Sequence, residues 1–392
     1  MEIYLDNAAT TRAYESVCQI MVKTMRQDYG NPSALHMKGV EAEHYVKNAR
    51  QYIARTLKIG EKELIFTSGG TESNNMAIIG GAMANCRAGK HLITTGIEHA
   101  SVYNPMMYLE SQGYEVTYLP VDSTGTVRLD ALEKAIREDT ILVSVMCVNN
   151  EIGTIQPLDK IGRLIKEKNP KTLFHVDAIQ GFGKMRLWPS KLGIDLLSAS
   201  GHKLHGPKGV GFLYIKDRVK VHPLILGGGQ QKDMRSGTEN VPGIAGFGQA
   251  VEEVFENLEE KLDQLYSLRD YFIQRVCELD GVVINGFTHR QEGFFGPAPH
   301  IVSVSFADIR AEVLLHALEE KKIYVSSGSA CSSNHPAISG TLKAIGVEKK
   351  YLDATLRFSF SFDTTQKDID DCIDALKSIV PVLRRFTPGG RR

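Results

Sequence analysis

From about residue 60 to 215 the chain repeats one pattern: a short run of β-branched and apolar residues, a turn, then a stretch of helical length. The runs are Glu63–Phe66, His91–Thr95, Glu115–Val121, Ile141–Val148, Leu173–Ala178, Leu196–Ser200 and Gly209–Ile215. Strands that alternate with helices need crossover connections, and these cover both faces of a largely parallel sheet. The last run follows its predecessor through a short turn at Gly206-Pro207, which is too tight for a crossover and predicts an antiparallel partner. The expectation is an α/β fold on a mixed, mostly parallel seven-stranded sheet.

A chain of 392 residues exceeds the size at which one core keeps growing, so two domains with a cleft between them are expected. A glycine-rich loop from Gly227 to Gly237 precedes a long helix, expected to start after Pro242, carry the charged Glu252 to Lys261 segment and bridge the domains. Beyond it, Val282–Asn285, Ile301–Phe306 and Leu356–Phe362 read as strands. A closing helix shows one apolar face at Ile369, Ile373, Leu376, Val380 and Leu383. Together these predict a smaller α+β domain.

Lys plus Arg and Asp plus Glu both number 46, so nothing in the charge favours nucleic acid or an anionic membrane, and a small substrate is expected. Cysteines at 18, 86, 147, 277, 331 and 372 lack the spacing of a zinc ribbon or the density of a disulfide scaffold, which suits a reducing cytoplasm. The first residues carry no basic segment followed by an apolar one, and the longest apolar stretch, Ile141 to Val148, is interrupted by Ser144. Neither an export signal nor a membrane span is expected. His202 and His205 have no evident further ligands beside them, so no metal site is expected.

Three short segments carry chemistry. Lys203 follows the strand and turn Asp195 to His202, where an amine suits covalent attachment of a carbonyl cofactor. Asp177 ends the run Leu173 to Ala178, where a protonated pyridine nitrogen would need a fixed counter-charge. Thr67-Ser68-Gly69-Gly70-Thr71 joins a strand to a helix expected to begin near Glu72, an arrangement that offers a phosphate free N–H groups and a helix dipole. The combination suggests pyridoxal phosphate. Taken singly, each has a plainer reading: a solvated lysine, a strand-end cap, an ordinary capped helix.

The segments Tyr4-Leu5-Asp6-Asn7-Ala8-Ala9-Thr10-Thr11, Gly30-Asn31-Pro32-Ser33, Phe66 to Asn75, Val148-Asn149-Asn150-Glu151-Ile152-Gly153, Arg235-Ser236-Gly237-Thr238 and Ser327-Gly328-Ser329-Ala330-Cys331 occur in order along the chain. On these segments it resembles the NifS/IscS-like cysteine desulfurases of the class V aminotransferase group, proteins of the fold type I of pyridoxal-phosphate-dependent transferases. The resemblance implies a large domain over 16–256, and a small domain over 1–15 and 257–392 with a mobile cysteine loop at about 326–337. It further implies that Lys203 bonds the cofactor, Asp177 pairs with its ring nitrogen, Gln180 donates to its phenolic oxygen and His99 stacks on it and relays protons. Gly70, Thr71, Ser200 and His202 would hold the phosphate, with Thr238 reaching it from the other subunit of a homodimer. Asn150 and Arg357 would bind the substrate's α-carboxylate, for which an arginine fork suits two parallel hydrogen bonds. For His99 without that context, a core or helix-capping histidine is the plainer reading.

Cys331 selects the reaction within this group, because transamination has no use for a thiol in a glycine-serine loop and sulfur transfer requires one. The expected activity is removal of sulfur from L-cysteine to give L-alanine and a Cys331 persulfide. A protein acceptor follows, an iron–sulfur scaffold or a tRNA-thiolating enzyme. Selenocysteine lyase and a catalytically silent sulfur-relay protein are the alternatives. The other five cysteines are expected to be buried and inert. Gly70 stands where many relatives have alanine, and the segment Ser332 to Ala337 differs from the better-known scaffold-linked members.

Overall fold

The computed structural model describes residues 2–291, 295–327 and 339–386. Its centre is a seven-stranded sheet with the spatial order Leu64–Thr67, Gly211–Ile215, Leu196–Ser200, Leu173–Asp177, Thr140–Met146, His91–Thr95, Glu115–Leu119. Only Gly211–Ile215 runs against the others, pairing antiparallel on both sides. The short Gly206-Pro207 turn therefore does what its length requires.

Alternation along the strands splits the apolar residues between two faces. Phe174 and Val176 pack with Val143, Val145, Leu197 and Phe212 under helices that contribute Val46, Ile53, Phe247 and Val251. On the other face, Leu173, Leu92, Leu142 and Leu196 meet Met76, Val102 and Met106. All five residues of Leu173–Asp177 and of Leu196–Ser200 are buried, as expected of strands covered on both faces.

A smaller unit holds a three-stranded antiparallel sheet in the order Val282–Asn285, Ile301–Phe306, Thr355–Ser359. Leu356 and Phe358 enter its core beside Phe272, Phe306, Ile369, Ile373, Leu376 and Val380. The alternate residues Arg357 and Ser359 are thereby turned to the opposite face. Ile3–Tyr4 pairs in parallel with Ile323–Tyr324, and Asp6 bridges to Ser359, so the chain's first residues join this unit.

Three expectations are corrected. The helix expected to run unbroken past Pro242 is two helices, Val241–Phe255 and Leu258–Val276, separated at Asn257 with φ of 52°. Asparagine tolerates that left-handed conformation, and the bend sends Phe247 and Val251 into the first core and Phe272 and Val276 into the second. The helix expected from Glu72 begins at Gly70, because Gly69 adopts φ of 147° and ends the turn early. Cys147 and Cys372 are buried, whereas Cys18, Cys86 and Cys277 are exposed. Cys18 stands on an outer helix face, and Cys86 and Cys277 are helix C-caps, positions that apolar periodicity does not mark. Among the described residues, no helix is long and apolar enough to cross a membrane.

Gly211 couples the sheet to the Gly69-Gly70 turn, since a Cβ there would stand 2.5 Å from the Ala199 carbonyl oxygen and 2.8 Å from Gly69 Cα. Both obstacles are backbone. Gly211→Ala should destabilise the fold by about 1–3 kcal/mol, read as a lower urea midpoint; an unchanged midpoint would contradict so close an approach.

Candidate active site

Chemistry collects at the carboxyl ends of the parallel strands, where open α/β sheets form their crevice. Thr67, Thr95, Met146, Asp177 and Ser200 each end a strand. The residues just beyond them deliver Gly70 and Thr71, His99, Asn150, Gln180, and His202 with Lys203 to one cavity of about 270 Å³. Asp177 and Ser200 line it directly, and Arg357 enters it from the small sheet. Segments far apart in sequence thus supply one wall each.

Asp177 is buried, and its carboxylate is held on both oxygens. Oδ1 accepts the Ile179 N–H at 3.0 Å and Oδ2 accepts from Asn74 Nδ2 at 2.8 Å. Burial nonetheless pushes its pKa up, against those hydrogen bonds and the nearby charges of His99 and Lys203. Such a group is stabilised by a cation placed against it. Lys203 Nζ donates to the carbonyl oxygens of Ala8 at 2.6 Å and Ala9 at 2.7 Å, so the N-terminal segment crosses directly over the amine.

Gln180 Nε2 also donates to Ala8 O, at 2.8 Å, and His300 Nε2 donates to Gln180 Oε1 at 3.3 Å. Burial holds His300 neutral, well below the usual histidine range. One edge of the amide is thereby assigned as acceptor and the other as donor. His99 is the N-cap of the helix Ala100–Ser111, its Nδ1 accepting the Ser101 N–H at 3.1 Å. It caps a helix and lines the cavity at once, so both readings of that residue hold in one position.

A phosphate would fit the end formed by Gly70, Thr71, Ser200 and His202. The helical run begins there and continues to Asn85 through a π turn at Met76–Gly80. A Cβ on Gly70 would stand 2.1 Å from Ile179 Cδ1, so this glycine makes room for an isoleucine in the cavity wall. Burial, with Lys203 and Lys208 nearby, takes the His202 pKa down to about 4, leaving a neutral ring as a hydrogen-bond donor.

Arg357 donates from Nη1 to the Asn150 carbonyl oxygen at 2.8 Å and from Nη2 to Asp6 Oδ1 at 2.7 Å. Its Nε is buried without a partner. Thr238 is not brought to this cavity; it lines a separate one with Ser68, Arg235 and Asn240. Cys331 lies outside the described residues, but both flanks of its segment are placed. Ser326 pairs with Arg357 through two backbone hydrogen bonds, and Ser339 donates to Glu151 Oε2 at 2.5 Å, next to Asn150.

Sequence reasoning did not assign Asp6, Asn74, Ser101, Glu98 or His300 to the site. Asp6 and Asn74 lie within the family-like segments, and Ser101 follows His99 at the capping spacing of two residues. Nothing in the sequence marks His300. Glu98 Oε1 accepts from Thr95 Oγ1 at 2.7 Å and from the Met146 N–H at 3.0 Å, while Oε2 is buried without a partner.

A parallel sheet that brings a lysine, a buried carboxylate and a helix terminus to its carboxyl edge offers the groups a vitamin-B6-type cofactor would need. The chain belongs to the class-V aminotransferase family, whose model matches residues 3–372. Within it, the chain groups with the NifS/IscS-like cysteine desulfurases. It is 43% identical over 388 residues to the cysteine desulfurase IscS of Dictyoglomus turgidum, covering 99% of this chain and 96% of that one. Among solved structures it is similar to a NifS-like protein, with a TM-score of 0.91, 39% identity, and coverage of 98% of this chain and 100% of the other. It is also similar to SspA in complex with cysteine, with a TM-score of 0.80, 36% identity, and coverage of 91% and 98%.

Burial raises the Glu98 pKa from 4.5 to about 8. The folded state then binds this proton more tightly than the unfolded state does. The stability it contributes is complete below pH 4.5 and is lost progressively as pH rises to about 8. Glu98→Gln should therefore raise the urea midpoint over wild type, with the gain growing from pH 5 to pH 8. A gain independent of pH would contradict the buried, protonated carboxyl.

Proposed function

We propose that this protein is a pyridoxal-phosphate-dependent cysteine desulfurase that converts L-cysteine to L-alanine and passes the sulfur, as a Cys331 persulfide, to an acceptor protein. The observation that carries the reading is the cavity that unites Lys203, Asp177, Gln180 and His99 with Arg357. Kinship with IscS supports the choice of cysteine, as does the likeness to the structure of SspA in complex with cysteine.

When bound, pyridoxal phosphate supplies an electron sink for the pair left behind as the substrate's Cα proton departs. Lys203 would hold the group covalently and, as a free amine, would move the substrate's Cα proton. Asp177 keeps the ring nitrogen protonated, and Gln180 presents its amide N–H edge to the phenolic oxygen. Gly70, Thr71, Ser200 and His202 hold the phosphate. Arg357, which lines the cavity, binds the substrate carboxylate, while its bonds to Asp6 and Asn150 keep the guanidinium from turning.

The Cys331 thiolate attacks the substrate sulfur, a new S–S bond forms as the substrate C–S bond breaks, and the electron pair passes to the substrate carbon. Two protons returned to the carbon skeleton complete alanine. The placed flanks at Ser326 and Ser339 tie the ends of the Cys331 segment to Arg357 and Glu151, which favours delivery to this cavity.

The active form is a homodimer in which Thr238 serves the neighbouring subunit's phosphate. Leu35, Met37 and Leu226 stand 101%, 72% and 74% exposed in the single chain, apolar surface that a second copy would cover. The protein works in the cytoplasm, in keeping with its scattered cysteines, and its acceptor is an iron–sulfur scaffold or a tRNA-thiolating enzyme.

Mass spectrometry of the cofactor-loaded protein after exposure to L-cysteine should find one added sulfur on Cys331 and an equivalent of alanine. Cys331→Ser should form neither persulfide nor sustained alanine. Alanine production undiminished in Cys331→Ser would exclude the proposed transfer. Light scattering should give twice the chain mass, and Leu226→Asp should shift it toward the monomer with loss of cofactor affinity; a wild-type monomer of full activity would exclude shared sites.

A further inference from the structure

Asn74 and Ser101 have no part in the chemistry above, yet they connect two residues that do. Asn74 is fully buried, and Ser101 is 6% exposed. Asn74 Nδ2 donates one hydrogen to Asp177 Oδ2 at 2.8 Å and the other to Ser101 Oγ at 2.9 Å. Ser101 Oγ in turn lies 2.8 Å from His99 Nδ1. Since the Ser101 oxygen receives the amide hydrogen, its own hydrogen is available to donate onward.

The direction of this chain is fixed at both ends. An ionised Asp177 carboxylate only accepts, so the Asn74 edge beside it must be the NH₂ group. At the other end the Ser101 backbone N–H, which can only donate, points at His99 Nδ1 at 3.1 Å. That nitrogen therefore holds a lone pair, and the ring proton resides on Nε2. The arrangement has a cost that marks it as constrained: Asn74 Oδ1 is buried without a partner. Flipping the amide would move that oxygen but would set it against the carboxylate and sacrifice both donors. Leaving one neutral acceptor unmet costs less than losing a charge-assisted bond and a second bond together.

We propose that Asn74 and Ser101 are positioning residues that transmit the charge of Asp177 into the tautomer of His99, holding the proton on the Nε2 side of the ring. The proposal rests on the reading of His99 and Asp177 as cofactor-facing groups. With Nδ1 occupied twice as an acceptor, proton exchange by His99 is confined to Nε2. A single hydrogen-bonded path thus sets the ring-nitrogen counter-charge and the histidine's protonation form together, a second-layer arrangement of the kind that orients catalytic imidazoles elsewhere.

The test is ¹⁵N NMR of histidine-labelled protein, cofactor-free and cofactor-loaded, with the His99 signals among the 12 histidines assigned by their loss in His99→Gln. Wild type should show one His99 tautomer, with Nδ1 unprotonated and Nε2 protonated. Ser101→Ala leaves Nδ1 only the longer backbone N–H bond and Asn74→Ala frees the hydroxyl to turn away, so both should weaken the preference and mix the two tautomers, whereas Ser101→Thr, which keeps the hydroxyl, should restore the single form. In the loaded enzyme Ser101→Ala should lower kcat by about tenfold with KM unchanged, the scale of one lost hydrogen bond. In a His99→Gln background the same change should add nothing. A protonated Nδ1 in wild type, or a Ser101→Ala protein whose His99 signals and kcat match wild type, would overturn the proposal. The tautomer measurement needs no turnover. If the protein released no sulfur from cysteine while Ser101→Ala still mixed the tautomers, the desulfurase reading would fall and the positioning chain would stand.

Discussion

A carboxylate taken out of water must be given charge or hydrogen bonds in return, and Asp177 is the point at which this fold meets that demand. Its two oxygens accept from a backbone N–H and a buried amide, and burial still raises its pKa. What remains is a site that favours a cation in the cavity. The parallel sheet makes this possible, because Asp177 is the last residue of a central strand and its neighbours end at the same edge. Glycine at 69 and 211 lets the turn before the Gly70 helix pack close against the sheet beside the cavity.

The N-terminal segment gives the site its second half. Ala8 and Ala9 offer carbonyl oxygens to Lys203, and Ala8 also accepts from Gln180. Asp6 pairs with Arg357, while Asn7 Nδ2 donates to the Ser359 carbonyl oxygen of the small sheet. The same few residues therefore touch the Lys203 amine, the Gln180 amide and the Arg357 guanidinium. Asp6 makes Arg357 a partly neutralised receptor, which suits a substrate that must be bound firmly enough to orient and loosely enough to leave as alanine.

Much of this could be read from sequence because the features involved are local. Strand alternation set the sheet, and the short Gly206-Pro207 turn gave the direction of Gly211–Ile215. Lys203, Asp177 and Gly70 stand at or just beyond strand ends, so their meeting at one cavity could be expected from position. His300, Glu98 and the Asn74–Ser101 pair stayed hidden, since their meaning comes from partners 27 to 120 positions away. The break at Asn257 was hidden for another reason: one residue in a left-handed conformation leaves the charged pattern around it unchanged. Three cysteines proved exposed because helix ends and outer faces carry no apolar period.

The account depends most on Asp177 acting as the counter-charge of a protonated ring. The direct measurement is ¹⁵N NMR of the protein reconstituted with pyridoxal phosphate labelled at the ring nitrogen. The nitrogen should be protonated at neutral pH in wild type and unprotonated in Asp177→Asn, with the cofactor still bound through Lys203. An unprotonated nitrogen in wild type, or a signal indifferent to the substitution, would contradict the account.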